Sequence, residues 1–154
     1  MFLATLALAA AKLSTPEAAV AAIYAPYRSA QMELSAWERP IYTASLRTLI
    51  ARWRAVTPTD ELDDLSDFDW LCQCQDWDAS SLRPRVIRAV PLGAGRREVT
   101  VTLSSRRPPL RFVLSQVGSQ WLIDDMIAPS FAKGLRAALV KTIAADIALR
   151  KSRP

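Results

Sequence analysis

From Pro16 onward the apolar positions Val20, Ile23, Tyr24 and Tyr27 recur at the three- and four-residue spacing of a helix that buries one face. Thr15-Pro16-Glu17 supplies its start: a capping hydroxyl, a proline where the missing N–H costs nothing, and an acid in the first turn. Pro26 is expected to kink this helix or end its regular part. A second helix follows Arg39-Pro40, with Leu46, Leu49, Ile50 and Trp53 on one face and Arg47, Arg52 and Arg54 largely outside. Thr57-Pro58 signals its end, and the acid-rich run from Thr59 to Ser66 reads as a loop or a short frayed turn.

Beyond Ser81 the period changes from helical to alternating. Leu82 to Val90 is a strand interrupted at Pro84, which suits an edge or a bulge. After the turn Leu92-Gly93-Ala94-Gly95, the stretch from Glu98 to Ser104 alternates with Val99, Val101 and Leu103 on one face. A turn over Ser105 to Pro109 leads into Leu110 to Val117, and Gly118-Ser119 is a two-residue hairpin loop into Gln120 to Ile127. A last helix runs from about Ser130 to Arg150 through Leu135, Leu139, Ile143 and Ile147. The predicted fold is α+β: two N-terminal helices packed on a curved antiparallel sheet of four or five strands, then a C-terminal helix. One domain spans residues 15–150.

The hairpin fixes a register. A two-residue loop pairs Val117 with Gln120, Leu114 with Ile123, Val113 with Asp124 and Phe112 with Asp125. Leu110, Phe112, Leu114, Trp121, Ile123 and Asp125 then share one face. Asp124 falls on the other face, diagonal to Arg111. Asp125 is left without a partner on the side that helices should cover.

The 154 residues contain no histidine, which removes Ser-His-Asp and Cys-His nucleophile pairs and the commonest zinc ligand. The net charge of +5 is unevenly spread: six basic against eleven acidic residues up to Ser81 give −5, and fourteen against four from Leu82 onward give +10. Such a half fits nucleic acid, an acidic partner, or an ordinary solvated surface in an arginine-rich composition. Residues 1–12 open with an apolar run closing on Ala9-Ala10-Ala11, as in a secretory signal without its basic n-region. The alternative is a first helical turn. Export predicts a periplasmic or secreted protein, and a run this short does not cross a bilayer.

Aspartates, both cysteines and two of the five tryptophans concentrate between Asp67 and Asp78. Cys72 and Cys74 lack a third and fourth ligand, so no metal is expected, and no cofactor motif is present. Two buried thiols acting as small apolar side chains is the favoured reading; a strained disulfide or a redox pair is the minority one.

The segments Ile23-Tyr24-Ala25-Pro26-Tyr27, Ile41 to Leu46, Asp67-Phe68-Asp69, Gln75 to Asp78, Val99 to Leu103 and Trp121 to Ile127 together resemble the bacterial family called domain of unknown function 3828. That family is similar to the nuclear transport factor 2-like (cystatin-like) superfamily. The resemblance covers roughly residues 16 to 135 and implies a cone-shaped fold with a pocket at its open end. Some members of the superfamily are isomerases, dehydratases or epoxide hydrolases, and many only bind ligands or partners. The family motif supplies no catalytic residues. Cys72-Gln73-Cys74 and the long helical tail depart from its pattern.

Within such a cone Asp125 and Asp76 would reach the pocket, desolvated against Trp121, Ile123 and Phe112 and served by Tyr24, Tyr27 or Tyr42 as hydroxyl donors. The favoured alternative is a structural aspartate that accepts backbone N–H groups or pairs with Arg83 or Arg85. Arg83, Arg85, Arg106, Arg107 and Arg111 form one cluster at one end of the sheet, with Arg96 and Arg97 at the other. That arrangement is too short for a nucleic-acid track, and suits pairing with Asp124, Asp125 or the acidic loop, or an acidic protein partner. The chain thus reads as an exported domain binding a small ligand or a partner. The alternatives are a histidine-free isomerase or hydrolase using a pocket carboxylate, and a protein-binding module of the immunity type.

Overall fold

The computed structural model describes residues 15–29, 34–57, 63, 65–76 and 80–152. The apolar run in residues 1–12 and Trp77-Asp78 lie outside the described residues. Three helices, α1 (Pro16–Ser29), α2 (Ala44–Val56) and α3 (Leu135–Ser152), accompany strands β1 (Arg85–Gly93), β2 (Arg96–Thr102), β3 (Leu110–Val117) and β4 (Gln120–Ile127). The strands form one antiparallel sheet in the order β1-β2-β3-β4. The α+β architecture therefore stands as expected, with four strands.

Thr15 caps α1 by accepting the Ala18 N–H at 3.1 Å, and the helix continues through Pro26 to Ser29. The proline removes one donor without ending the element. A short 3-10 turn, Ala36–Glu38, follows, and the Glu38 carboxylate takes the Ser35 N–H at 2.9 Å. Thr43 caps α2. The chain just before that cap lies alongside β4: the Thr43 N–H donates to Ile123 O at 2.9 Å, and the Ile123 N–H to Ile41 O at 2.8 Å. One margin of the sheet is thereby covered, and β1, at the other margin, pairs with no further strand among the described residues.

Directly opposed residues share a face, so Val99, Phe112 and Met126 line one row and Val101 with Leu110 the next, all buried. Against them pack Tyr24 and Tyr27 of α1, and beside them Trp37, Trp53 and Trp70 gather with ring centroids 5.5 to 5.8 Å apart. Pairing β1 starts at Arg85, three residues later than the sequence pattern suggests, and slips between Val86 and Arg88. The last helix starts at Leu135, because a turn built on the Ala128–Phe131 bridge intervenes.

The hairpin follows the expected register from Val117–Gln120 to Leu114–Ile123, then slips by one residue: Val113 faces Asp125 and Phe112 faces Met126. Asp124 is the extra residue of a β-bulge. This corrects the placement of Asp125 among the apolar side chains of the core, since the slip moves it to the face of Val113. There its Oδ1 accepts the N–H of Met126 at 2.8 Å and that of Arg136 at 3.1 Å. Gly134, at the cap position of α3, has no side chain to do this, so the strand supplies the capping oxygen instead. Asp124 does not pair with Arg111; its Oδ1 takes Arg136 Nη2 at 2.6 Å and Thr43 Oγ1 at 3.0 Å. Arg136 also donates through Nε to the Asp124 carbonyl and through Nη2 to Ser45 Oγ.

The acid-rich loop after α2 holds a further junction that periodicity does not disclose. Asp63 accepts Trp53 Nε1 at 2.7 Å on one oxygen, and the N–H groups of Leu65 (2.9 Å) and Ser66 (2.6 Å) on the other. Partial burial alone would raise its pKa, but the indole, the Ser66 hydroxyl and the two backbone donors outweigh it and hold the carboxyl below its usual value.

Two outcomes are expected. A folded-state pKa below the unfolded one means that Asp63 contributes stability above pH ~4, and that this is lost as pH falls through the depressed value. Asp63→Asn should therefore flatten the acid limb of a urea-midpoint profile below pH ~4 while leaving its neutral limb parallel; an unaltered acid limb would count against the assignment. At Gly134 the φ of +101° and a Cβ only 2.6 Å from Asp125 Oδ2 predict that Gly134→Ala costs about 2–4 kcal/mol. Asp125→Ala should cost about 1–2 kcal/mol. The double variant should cost less than the sum, because the clash goes with the carboxylate. Denaturant unfolding of the four proteins checks this.

Candidate functional site

The interior where a cone pocket was expected is filled by side chains. Trp53, Trp70, Tyr24, Tyr27, Tyr42 and Phe112 all have less than 2% of their surface exposed. Each tyrosine hydroxyl is committed: Tyr24 donates to Leu71 O at 2.8 Å, Tyr27 to the Asp69 carboxylate at 2.7 Å, and Tyr42 to Ala36 O at 2.7 Å. Burial pushes all three pKa values upward, and the Asp69 charge adds to this, so they remain protonated donors. Phe112 meets the Tyr24 ring edge-on at 6.4 Å. Asp125 is engaged at the start of α3, and Asp76 is exposed, so neither points into this interior. Trp121 stands at the margin under the Arg97 guanidinium, beside a cleft of about 140 Å³ that Ile23 and Ile41 also line.

Arg39 is a buried residue that the sequence pattern missed, because Arg39-Pro40 reads only as a helix boundary. Its Nη2 donates to Ile23 O at 2.5 Å, its guanidinium lies 5.7 Å from the Tyr27 ring centroid, and Nη1 has no hydrogen-bond partner among the described residues. With Tyr27 and Asp69 it makes a polar seam through an otherwise apolar centre.

Residues 67–76 of the aspartate-rich stretch form a tight turn. Asp69 and Cys74 exchange backbone bonds (2.8 and 3.4 Å), Gln73 takes a φ of +53°, and the sulfurs of Cys72 and Cys74 are joined in a disulfide. The favoured expectation of two free thiols is corrected here: folding the chain back at Gln73 brings the sulfurs together, whereas an extended strand would keep them apart. Asp69 Oδ1 takes the N–H groups of Leu71 and Cys72, and Arg107 Nη1 clamps the Cys72 carbonyl at 2.8 Å. Ser130 N–H donates to Gln73 Oε1 at 3.2 Å, joining this turn to the corner after β4.

The arginine cluster divides into committed and free members. Arg111 pairs with Glu98 at 3.4 Å, and Arg107 holds the disulfide turn. Arg83, Arg85 and Arg106 are exposed and form no ion pair among the described residues, and none of the five reaches Asp124 or Asp125. Arg28, from the last turn of α1, joins Arg83 and Arg85 around a groove of about 560 Å³ whose floor includes Leu82 and Pro84. Arg96, at the opposite end as expected, lies 3.5 Å from Asp124. A second groove, about 450 Å³, runs between α2 and α3 past Leu49, Ile143 and Ile147. Among the described residues no three His, Cys, Asp or Glu side chains converge to hold a metal ion, and no helix is long and apolar enough to cross a membrane. This geometry offers open charged and apolar surface, and a closed interior.

No family model matches the chain, and no curated protein matches it. Among solved structures, a chain of the crystal structure of the type VI native effector-immunity complex Tae3-Tai3 from Ralstonia pickettii superimposes with a TM-score of 0.56. The two are 22% identical, and the match covers 75% of this chain and 96% of that one. At this identity what the two share is a fold, and nearly all of the neighbour's fold is contained in this chain.

Proposed function

We propose that this chain is a protein-binding module of the immunity type, which neutralises a partner by covering part of its surface. The likeness to a chain solved inside an effector-immunity complex carries the reading, because it extends over 96% of that chain rather than over a common fragment. Two observations made independently of that likeness support it. The interior is occupied by aromatic side chains with their polar atoms spent, which disfavours the small-ligand reading. The carboxylates on which an isomerase or hydrolase would depend are a helix cap and an exposed loop residue, which disfavours catalysis through them. What remains available is outer surface, and a stable complex needs about 800 Å² of it from each partner.

The same reading places the protein outside the cytoplasm. The apolar run in residues 1–12 supports this, as does a disulfide between Cys72 and Cys74, since such bonds persist in oxidising compartments. The resemblance to the nuclear transport factor 2-like superfamily is compatible, because many of its members act by binding alone.

The proposal is tested with the proteins encoded next to this chain's gene. One of them, directed to the periplasm, should arrest growth, and co-expression of this chain with its leader should restore it. The purified pair should elute as a single species whose light-scattering mass equals the sum of the two. Growth arrest that this chain never relieves, with separate elution of every such pair, would reject the reading.

A further inference from the structure

We infer that the groove framed by Arg28, Arg83 and Arg85 is the surface through which this protein grips its partner, and that the partner presents an acidic loop to it. The inference rests on the protein-binding reading above and adds a site and a chemistry to it.

The three guanidinium groups come from different places in the fold: Arg28 from the end of α1, Arg83 from the segment before the sheet, and Arg85 from the first position of β1. All are exposed, and none meets a carboxylate among the described residues. Arg83 is fixed through its backbone, whose N–H donates to Leu103 O at 2.7 Å, and Arg85 is fixed by pairing opposite Thr102. The cations therefore stand on ordered backbone. Leu82, 3% exposed, and Pro84 give the groove an apolar floor, while Thr102, Ser104 and Ser105 add small polar walls. Arg88 extends the charge along β1 on the face of Arg85, since these residues oppose Thr100 and Thr102 respectively.

Two ordinary explanations account for parts of this pattern only. Charges on an open edge strand discourage edge-to-edge pairing, yet the slip after Val86 and Pro91 already interrupt β1, and Arg28 is not on that edge. A cation in the last turn of a helix is favoured by the helix dipole, which accounts for Arg28 but not for Arg83 or Arg85. Like charges facing one groove repel each other, and a carboxylate-bearing partner relieves that repulsion while accepting forked guanidinium hydrogen bonds. A nucleic acid would call for aromatic stacking surfaces, and among the described residues no aromatic side chain lines this groove. The interrupted edge likewise argues against an added strand, so the partner element is a loop that inserts side chains.

The full chain is titrated by fluorescence anisotropy, at low salt, against a labelled peptide rich in Asp and Glu and against its Asn/Gln counterpart. The wild type should bind the acidic peptide and not the neutral one, with affinity falling as salt is raised. Arg28→Glu/Arg83→Glu/Arg85→Glu should weaken binding at least about tenfold, and the corresponding triple change to Gln should weaken it by less. Arg47→Glu/Lys141→Glu/Arg150→Glu alters the net charge equally on exposed helix positions and should change affinity by no more than about threefold. The melting temperature of each variant establishes that it is folded. Equal losses in the two Glu triples, no preference for the acidic peptide, or tighter binding to a duplex DNA than to the peptide would each overturn the inference. Failure of the growth-rescue experiment removes the protein-binding reading whatever the titration gives. Rescue that survives the groove triple removes this groove and leaves that reading intact.

Discussion

The bulge at Asp124 is the constraint on which the assembly of helices and sheet depends. By inserting one residue into β4 it turns two successive carboxylates toward two helix starts. Asp125 caps α3, whose own cap position is a glycine, and Asp124 holds Thr43 at the start of α2 together with Arg136 in the first turn of α3. Helix N-termini are where unpaired N–H groups and positive partial charge accumulate, so neighbouring anions on an ordered strand stabilise both. Arg136 completes the junction by reaching back to the Asp124 carbonyl and across to Ser45. A strand without the extra residue would bury Asp125 beneath the helices and leave α3 without its cap.

The same residue shows where sequence reasoning succeeds and where it stops. Helix faces and strand alternation were legible because burial imposes a period on each, and β3 and β4 fall on the residues that the pattern selects. The Gly118-Ser119 loop correctly set the pairing as far as Leu114 and Ile123. Nothing in the alternation announces a bulge, since Ile123-Asp124-Asp125-Met126 reads equally well with Asp125 on either face. The decisive information lies nine residues beyond Asp125, where Gly134 requires an oxygen that it does not carry. Long-range demands of this kind have no periodicity.

The candidate site was legible in a different measure. Tyr24, Tyr27, Tyr42 and Phe112 were expected to line a pocket and are instead packed in a filled centre, because whether a centre is hollow or filled depends on volumes contributed by distant segments. Trp37, Trp53 and Trp70 close it, and they meet from three separate stretches of chain. The arginine cluster was visible as a charge imbalance, while its division into clamped and free members was not. Arg107 is spoken for by a carbonyl, which no charge count reveals, and Arg28 enters from a helix that the clustering did not include. The buried Arg39 was hidden because its partners are a backbone carbonyl and the face of an aromatic ring, neither of which leaves a mark on neighbouring residues.

The Cys72–Cys74 link has a consequence that its size dictates. A cross-link between residues two apart excludes few conformations of the unfolded chain, so its entropic contribution to overall stability is at the small end of what disulfides provide. Its effect is local: it holds Gln73 in a left-handed bend and thereby orients the carbonyls that Tyr24 and Arg107 use. Moving this protein from an oxidising to a reducing milieu would therefore loosen one corner of the molecule, where the turn between β2 and β3 and the segment after β4 meet α1, and leave the remainder standing.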